Sequence, residues 1–405
     1  MFRITTKLLA ASVLLLGGVT AVQAQDSKPL IEALIQKGIL TADEAKKIQE
    51  DIKKSVPLDV QVRTKPVTRL SLSGRMQLQF DGLETDRSGT NNASSHHFFV
   101  RRARLNLSSD LGKDWSGVME VDFINTSFSS LILQYKGWTD RVATIGLRKV
   151  NFGIEENTSS GSLKVIERSG ATRYFVESNN GRRLGAGSYR TGLFLDGTHG
   201  SFFYGVALTN PERTATPGFG GTATNNNFAY WANAGVKNKF KGGDYSLGLN
   251  LGYLPDQGGK TLGTGNDLLV WAVNANINSG NFNLMAEVLG SQNDRGASAT
   301  HDSASMGLWI QPSYKFSKQI EGVVRYSYVD SDGRGIDLSD AVRSAPGGGT
   351  HDKLHDFYIG GTYYVLGNDL KFQAGLVYGR SQDTITGGAA ESTSFGFRSQ
   401  VQLNF

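Results

Sequence analysis

From Leu70 onward, apolar and polar residues alternate one for one. Leu70, Leu72, Met76, Leu78 and Phe80 interleave with Ser71, Ser73, Arg75, Gln77 and Gln79. Phe99, Ala103, Leu105 and Leu107 interleave with Arg102, Arg104, Asn106 and Ser108. The same pattern returns in 245–253, in 306–314 and in the closing Phe397–Phe405. A period of two describes strands with one apolar and one polar face. It predicts sixteen strands, starting near 68, 97, 114, 130, 142, 183, 200, 227, 242, 266, 280, 302, 317, 353, 367 and 391. Tight connections (139–141, 196–200, 241–243, 279–280, 367–369) alternate with longer, polar, Gly-rich ones. Short turns on one rim and long loops on the other describe a transmembrane β-barrel with an even number of antiparallel strands.

A soluble sandwich also alternates, but its polar face looks to solvent and is rich in Lys and Glu. Here that face carries Gly, Ser, Asn and Gln with charges placed singly, and the other carries Leu, Val, Phe and Tyr. Aromatics such as Trp115, Phe123, Tyr253, Tyr314, Phe316, Tyr328 and Tyr363 gather towards strand ends, as interface girdles do. The fold class expected is therefore all-β, a sixteen-stranded antiparallel transmembrane barrel at 67–405, wide enough for an aqueous lumen. The last strand ends on Phe405 with Val401 and Leu403 on the same face, similar to the C-terminal signature by which outer-membrane proteins are recognised for insertion.

The first 66 residues have other periods. Arg3 and Lys7 precede an apolar run from Leu8 to Val19, and Val22-Gln23-Ala24 offers small residues for cleavage. Residues 1–24 read as a secretory signal, too short to span a bilayer, which takes about 20 apolar residues. From Leu30 to Ile52 the period is near 3.6; Gly38 stops one helix and Thr41-Ala-Asp-Glu44 is a capping box that starts another. Pro57 and Pro66 break the pattern. Residues 25–66 are expected to form a short periplasmic helical hairpin and linker, either tethering or oligomerising the protein, or merely solvated.

Composition narrows this picture. The 405 residues include 50 Gly, 8 Pro and no Cys, which removes disulfides, Cys-ligated zinc and thiol chemistry. The formal charge of +5 is small and scattered, too weak to propose nucleic acid as a partner.

The passage after the fifth strand carries a family likeness. Gly146, Lys149, Phe152 and Glu155 fill a G-x-x-K-x-P-F-x-x-E pattern followed by a Ser-rich turn, with Asn151 in place of the proline. Ile166-Glu-Arg-Ser169, Gly181-Arg-Arg-Leu-Gly185 and Phe98-Phe-Val-Arg-Arg-Ala-Arg-Leu105 add to it. In these segments, and more diffusely over 30–405, the chain resembles the phosphate-selective porin O and P family. That resemblance implies a homotrimeric channel in the bacterial outer membrane, surrounded by its lipids, whose long third loop folds inward as an eyelet.

The expected lumen wall has Arg75, Arg102, Arg104, Lys237, Lys315, Arg325, Lys371 and Arg398 on the polar face, joined there by Glu120, Asp122, Glu287 and Glu321. Basic side chains in a low-dielectric pore concentrate anions. Glu120 and Asp122 lie on the strand beside Arg102 and Arg104, where cross-strand pairing offsets that field. After residue 66 there are 32 basic and 30 acidic residues, so the wall is not overtly basic. The expected constriction, 153–180 with Lys149 at its entry, carries Glu155, Lys164, Glu167, Arg168 and Arg173. It is charge-mixed too, without the clustered bases that a desolvated oxyanion needs. Arg183 and Arg190, seven apart, fall on opposite faces of one strand, so Arg190 is left unassigned.

The resulting expectation is passive diffusion of small hydrophilic solutes and ions with weak anion preference. The alternatives are a dedicated phosphate or oxyanion channel, and a non-conducting barrel that anchors the envelope by peptidoglycan contact through 25–66. No cofactor or metal is expected. The six histidines fall mostly in loops and no nucleophile elbow occurs. His351 and His355 have helical metal spacing but precede a strand, and Asp330–Asp337 lacks the closing Glu of a calcium loop.

Overall fold

The computed structural model describes residues 41, 43–44, 67–88, 91–177, 180, 182–211, 227–255, 267–294, 302–383 and 391–405. The signal expected at 1–24 and most of the hairpin and linker expected at 25–66 lie outside these. Within them, Thr41 and Glu44 form the reciprocal cap: Thr41 N donates to Glu44 Oε2 at 2.9 Å and Glu44 N to Thr41 Oγ1 at 3.3 Å.

Sixteen strands make up the body: β1 (Val67–Arg87), β2 (Ala93–Leu111), β3 (Trp115–Asp122), β4 (Ser127–Tyr135), β5 (Arg141–Lys149), β6 (Tyr189–His199), β7 (Phe202–Thr209) and β8 (Ala229–Phe240). Then follow β9 (Gly243–Leu254), β10 (Leu268–Ser279), β11 (Phe282–Asn293), β12 (Met306–Lys315), β13 (Ile320–Asp330), β14 (Lys353–Tyr364), β15 (Leu370–Gln382) and β16 (Glu391–Asn404). Each pairs with its sequence neighbours and β1 closes on β16, from Arg75↔Asn404 to Arg87↔Ser392. Closure leaves no edge, which a bilayer demands because unpaired backbone groups there have no water. The outward stripe of β16, Val401, Leu403 and Phe405, is exposed, and Phe405 O accepts from Gly74 N at 2.7 Å. Aromatic pairs mark both rims: Trp115–Tyr135 at 4.9 Å beside the short turns, Tyr230–Tyr253 at 6.4 Å beside the long loops.

Fifteen strands begin within four residues of the alternation's estimate, whereas β6 begins at Tyr189 rather than 183. Residues before it are taken by a helix: Leu184 N and Ala186 N donate to Tyr174 O and Phe175 O. In β2 the outward residues near the long-loop rim are Phe98 and Val100, not Phe99, and the parity changes before Arg102, which points inward.

Two loops enter the lumen. Residues 150–188 carry α1 (Ile154–Asn157) and α2 (Gly170–Val176), and residues 331–352 carry α3 (Leu338–Ala341). Val165, Ile166, Phe175, Leu338 and Val342 from these loops cluster with Leu268, Val270, Leu289 and Trp309 from the wall into a buried apolar core inside the barrel. This core was not expected, because an inward face should be polar. It fixes the loops by burying apolar area, so the passage is displaced to one side.

Candidate functional site: the lumen aperture

The constriction loop is fastened station by station. Gly146 has φ +124° where β5 leaves β4, their ladder ending at Leu131↔Leu147. Lys149 Nζ then pairs with Glu156 Oε1 at 2.9 Å, and Asn151, where the family usually has proline, donates to Asp196 Oδ1 at 2.6 Å and accepts from Arg148 at 2.8 Å. Phe152 packs on Trp231, 6.1 Å between centroids. Gly153 N and Ile154 N donate to Asn250 and Glu287 on the far wall at 3.2 and 2.7 Å.

At the tip, Lys371 Nζ donates to Gly161 O and Leu163 O at 2.9 and 3.1 Å, and Arg75 to Ser160 Oγ at 2.8 Å. Lys164 pairs with Glu321 on β13 at 2.6 Å. Ser169 caps α2, whose Gly170 N and Ala171 N donate to Asp356 and Ser327 of the wall. Arg325 joins loop to barrel through Glu155 Oε1 at 2.9 Å, Glu167 O at 2.7 Å and Asp356 Oδ1 at 3.5 Å.

These contacts reassign several residues expected to face the solute. Arg325, Lys371 and Arg398 do point inward, but the loops cover them and each is under 5% exposed. Arg398 pairs with Asp81 at 3.1 Å. Lys164 is held against Glu321, and Arg173 donates to Ala341 O at 2.8 Å, joining α2 to α3. Glu155 and Glu167 are buried, as are Glu287 and Glu321. Lys237 and Lys315 are exposed near the short-turn ends of β8 and β12, away from the constriction. Arg183 precedes β6 and faces the passage; Arg190, on β6, is buried over the Trp231 ring at 5.2 Å, so strand parity did not relate the two. His351 bonds Ser381 at 2.7 Å while His355 bonds Tyr326 at 2.9 Å, and Asp337 caps α3.

Between the constriction loop and the wall of β1–β6 lies a polar cavity of about 1180 Å³. Its lining includes Arg75, Arg102, Arg104, Lys149 and Arg168 among the expected bases. Arg101, Arg148, Arg183 and Arg343 are additions that strand parity could not supply. Against these nine bases stand four carboxylates in the lining, Glu120, Asp122, Glu156 and Glu177, and two just behind it, Glu167 on Arg101 and Arg343 and Asp196 on Arg148. Arg104 is paired with Glu120 at 3.1 Å and Asp122 at 3.0 Å. Among the described residues no carboxylate lies within ion-pair distance of Arg75 or Arg102; Arg102 donates to Gln77 Oε1 at 2.7 Å. The near balance of charge along the chain is thus not the balance at the aperture, because the loops bury carboxylates behind themselves.

Carboxylates also hold the two inserted loops together. Burial raises the Glu167 carboxyl, yet Arg101 and Arg343 outweigh it and hold the group well below the usual range. Burial opposes Arg173 and Arg343 at Glu177 as well, and the arginines bring it to about 2. Depressed values mean stabilisation that is complete above the ordinary carboxylate pKa, about 4, and lost as pH falls through the folded values. As far as these carboxylates set it, single-channel conductance should therefore stay level from pH 7 to 5 and change only in stronger acid. A conductance transition centred between pH 5 and 7 would show that these carboxylates are not so held.

A closed sixteen-stranded barrel whose own loop narrows a charged, water-filled passage defines an outer-membrane porin. Residues 70–405 match the family described as phosphate-selective porin O and P, and the chain belongs to that family in the bacterial outer membrane. Its fold is similar to that of the anion-selective porin from Comamonas acidovorans (TM-score 0.60, 15% identity, 83% of this chain and 99% of that one). The outer membrane channel DcaP of Acinetobacter baumannii (0.55, 12%, 85% and 99%) and the trimer form of OmpT from Vibrio cholerae (0.52, 12%, 83% and 99%) share it. No curated protein matches the sequence.

Proposed function

We propose that this porin passes small hydrophilic solutes by diffusion and favours anions. What carries this is the excess of nine bases at the aperture over six carboxylates in its lining or paired to it from behind, with no carboxylate among the described residues on Arg75 or Arg102. In a narrow passage walled by low dielectric, such an excess raises local anion concentration and repels cations. Arg75 and Lys149 are the side chains to which selectivity is assigned, with Arg102, buried behind them on Gln77, adding its charge from the wall. Arg325, Lys371 and Arg398 act by holding the loop. Assembly as a homotrimer and a periplasmic role for residues 25–66, including peptidoglycan contact, belong to the same proposal. The protein is read as a channel without catalysis: the Ser381–His351 pair is buried away from the passage.

The test is a reversal potential across a planar bilayer in a KCl gradient, followed by phosphate. A chloride-directed potential is expected, with current reduced by phosphate only at high concentration. Saturable block would favour the dedicated oxyanion channel, which the unpaired Arg75 and Arg102 make the second reading. A zero or potassium-directed potential would refute anion preference, and absence of conductance steps would leave the envelope anchor.

A further inference from the structure

The second inserted loop, 331–352, lies outside the constriction loop, yet it brings a cation to the aperture. Asp337 and Asp340 cap α3 reciprocally, and Asp340 binds Arg182 and Asn180 of the constriction loop at 2.6 and 2.7 Å. This sets the next turn so that Arg343 points at two carboxylates, Glu167 at 3.0 Å and Glu177 at 2.5 Å. Arg398 of the wall donates to Arg343 O, fixing its backbone. Glu167 also pairs with Arg101 of β2 at 2.5 Å, and Glu177 with Arg183 at 2.9 Å. The result is an alternating row, Arg101–Glu167–Arg343–Glu177–Arg183, flanked by Arg173 at 3.2 Å from Glu177 and Asp340 at 3.7 Å from Arg183; all five of the row but the buried Glu167 line the passage, with Arg343 28% exposed at the centre.

We propose that Arg343 is a selectivity-determining residue: the 331–352 loop supplies the central cation of this row, which masks Glu177, the carboxylate of the row that lines the passage, from a passing anion. The inference rests on the anion-preferring reading above and assigns part of that preference to a loop other than the constriction loop. Charge arithmetic separates this role from a structural one. Arg343→Gln takes one positive charge from the row, and adding Glu177→Gln removes one negative charge and returns the net charge to that of the wild type, although the Arg343 contacts stay broken.

Reversal potentials of the purified full-length protein test it. Arg343→Gln should lower the chloride-to-potassium permeability ratio by roughly threefold, the scale of one unit charge acting through water over several ångströms. Arg343→Lys, which keeps the charge, should fall between this variant and wild type. The Arg343→Gln/Glu177→Gln pair should return to the wild-type ratio. An unchanged ratio in Arg343→Gln, or a double variant that stays as low as the single one, would overturn the proposal. Were the wild-type protein to prove unselective, anion preference would fail separately, while the shift and its reversal would still be measurable against that baseline.

Discussion

Replacing Arg325 with Met should release the constriction loop while leaving the barrel assembled. Arg325 is buried on β13 and touches three carbonyl or carboxylate groups at once: Glu155 and Glu167 of the loop and Asp356 of β14. Removing one member of a buried ionic cluster costs about 3–5 kcal/mol, because the partner charges stay in low dielectric without compensation. Asp356 still accepts from Gly170 N, and Glu155 from Ser169, but two carboxylates then face each other with no cation between them. Water relieves that by entering, and it enters as the loop lifts from the wall. The strand ladders are untouched, so heat-resistant migration of the folded barrel should survive while single-channel steps become larger and noisier. Adding Glu155→Gln and Asp356→Asn removes the stranded charges and should restore quiet steps of wild-type size. Wild-type conductance in Arg325→Met would show that the apolar core alone seats the loop.

The barrel was legible in the sequence because strand alternation is local: each residue needs only its two neighbours to declare a face. Loop insertion is not local. Arg325 sits on the polar face in the sequence as in the structure, but whether a luminal base meets water or a carboxylate depends on a loop more than 150 positions away. The loop is charge-mixed in composition, but which of its charges face the passage is set by the fold: Glu156, Glu177, Lys149 and Arg168 line it, while Glu155, Glu167, Lys164 and Arg173 are held by other groups. One local signal did exist for the inner core. Leu268–Val273 is apolar at every position, which describes a strand covered on both faces rather than one facing lipid and water. Leu268, Val270 and Ala272 are indeed buried inward while Leu269 and Val273 face out. Ile336, Leu338, Ala341 and Val342 supply part of the matching surface, and the Asp337-x-x-Asp340 spacing there forms a cap.

The family's leading glycine has a reason that an alanine scan should expose. Gly146 has φ +124°, and a Cβ placed there would lie 2.1 Å from Leu131 O, a backbone atom that cannot swing aside. The strained conformation alone costs a side-chain-bearing residue about 1–3 kcal/mol, and the overlap adds to it. Gly280, in the β10–β11 turn with φ +56° and nothing near its missing Cβ, is the control: Gly280→Ala carries only the smaller left-handed penalty, about 1 kcal/mol. Gly146→Ala should therefore lower the thermal midpoint in detergent by clearly more than Gly280→Ala. It should also weaken anion preference, since β5 parts from β4 just past Gly146 and the next residues, Arg148 and Lys149, line the aperture. Equal midpoints for the two variants would mean that β5 can straighten without penalty. The glycine would then mark close packing in the sheet, and the entry of the constriction loop would have to be set downstream, at Asn151 and Gly153.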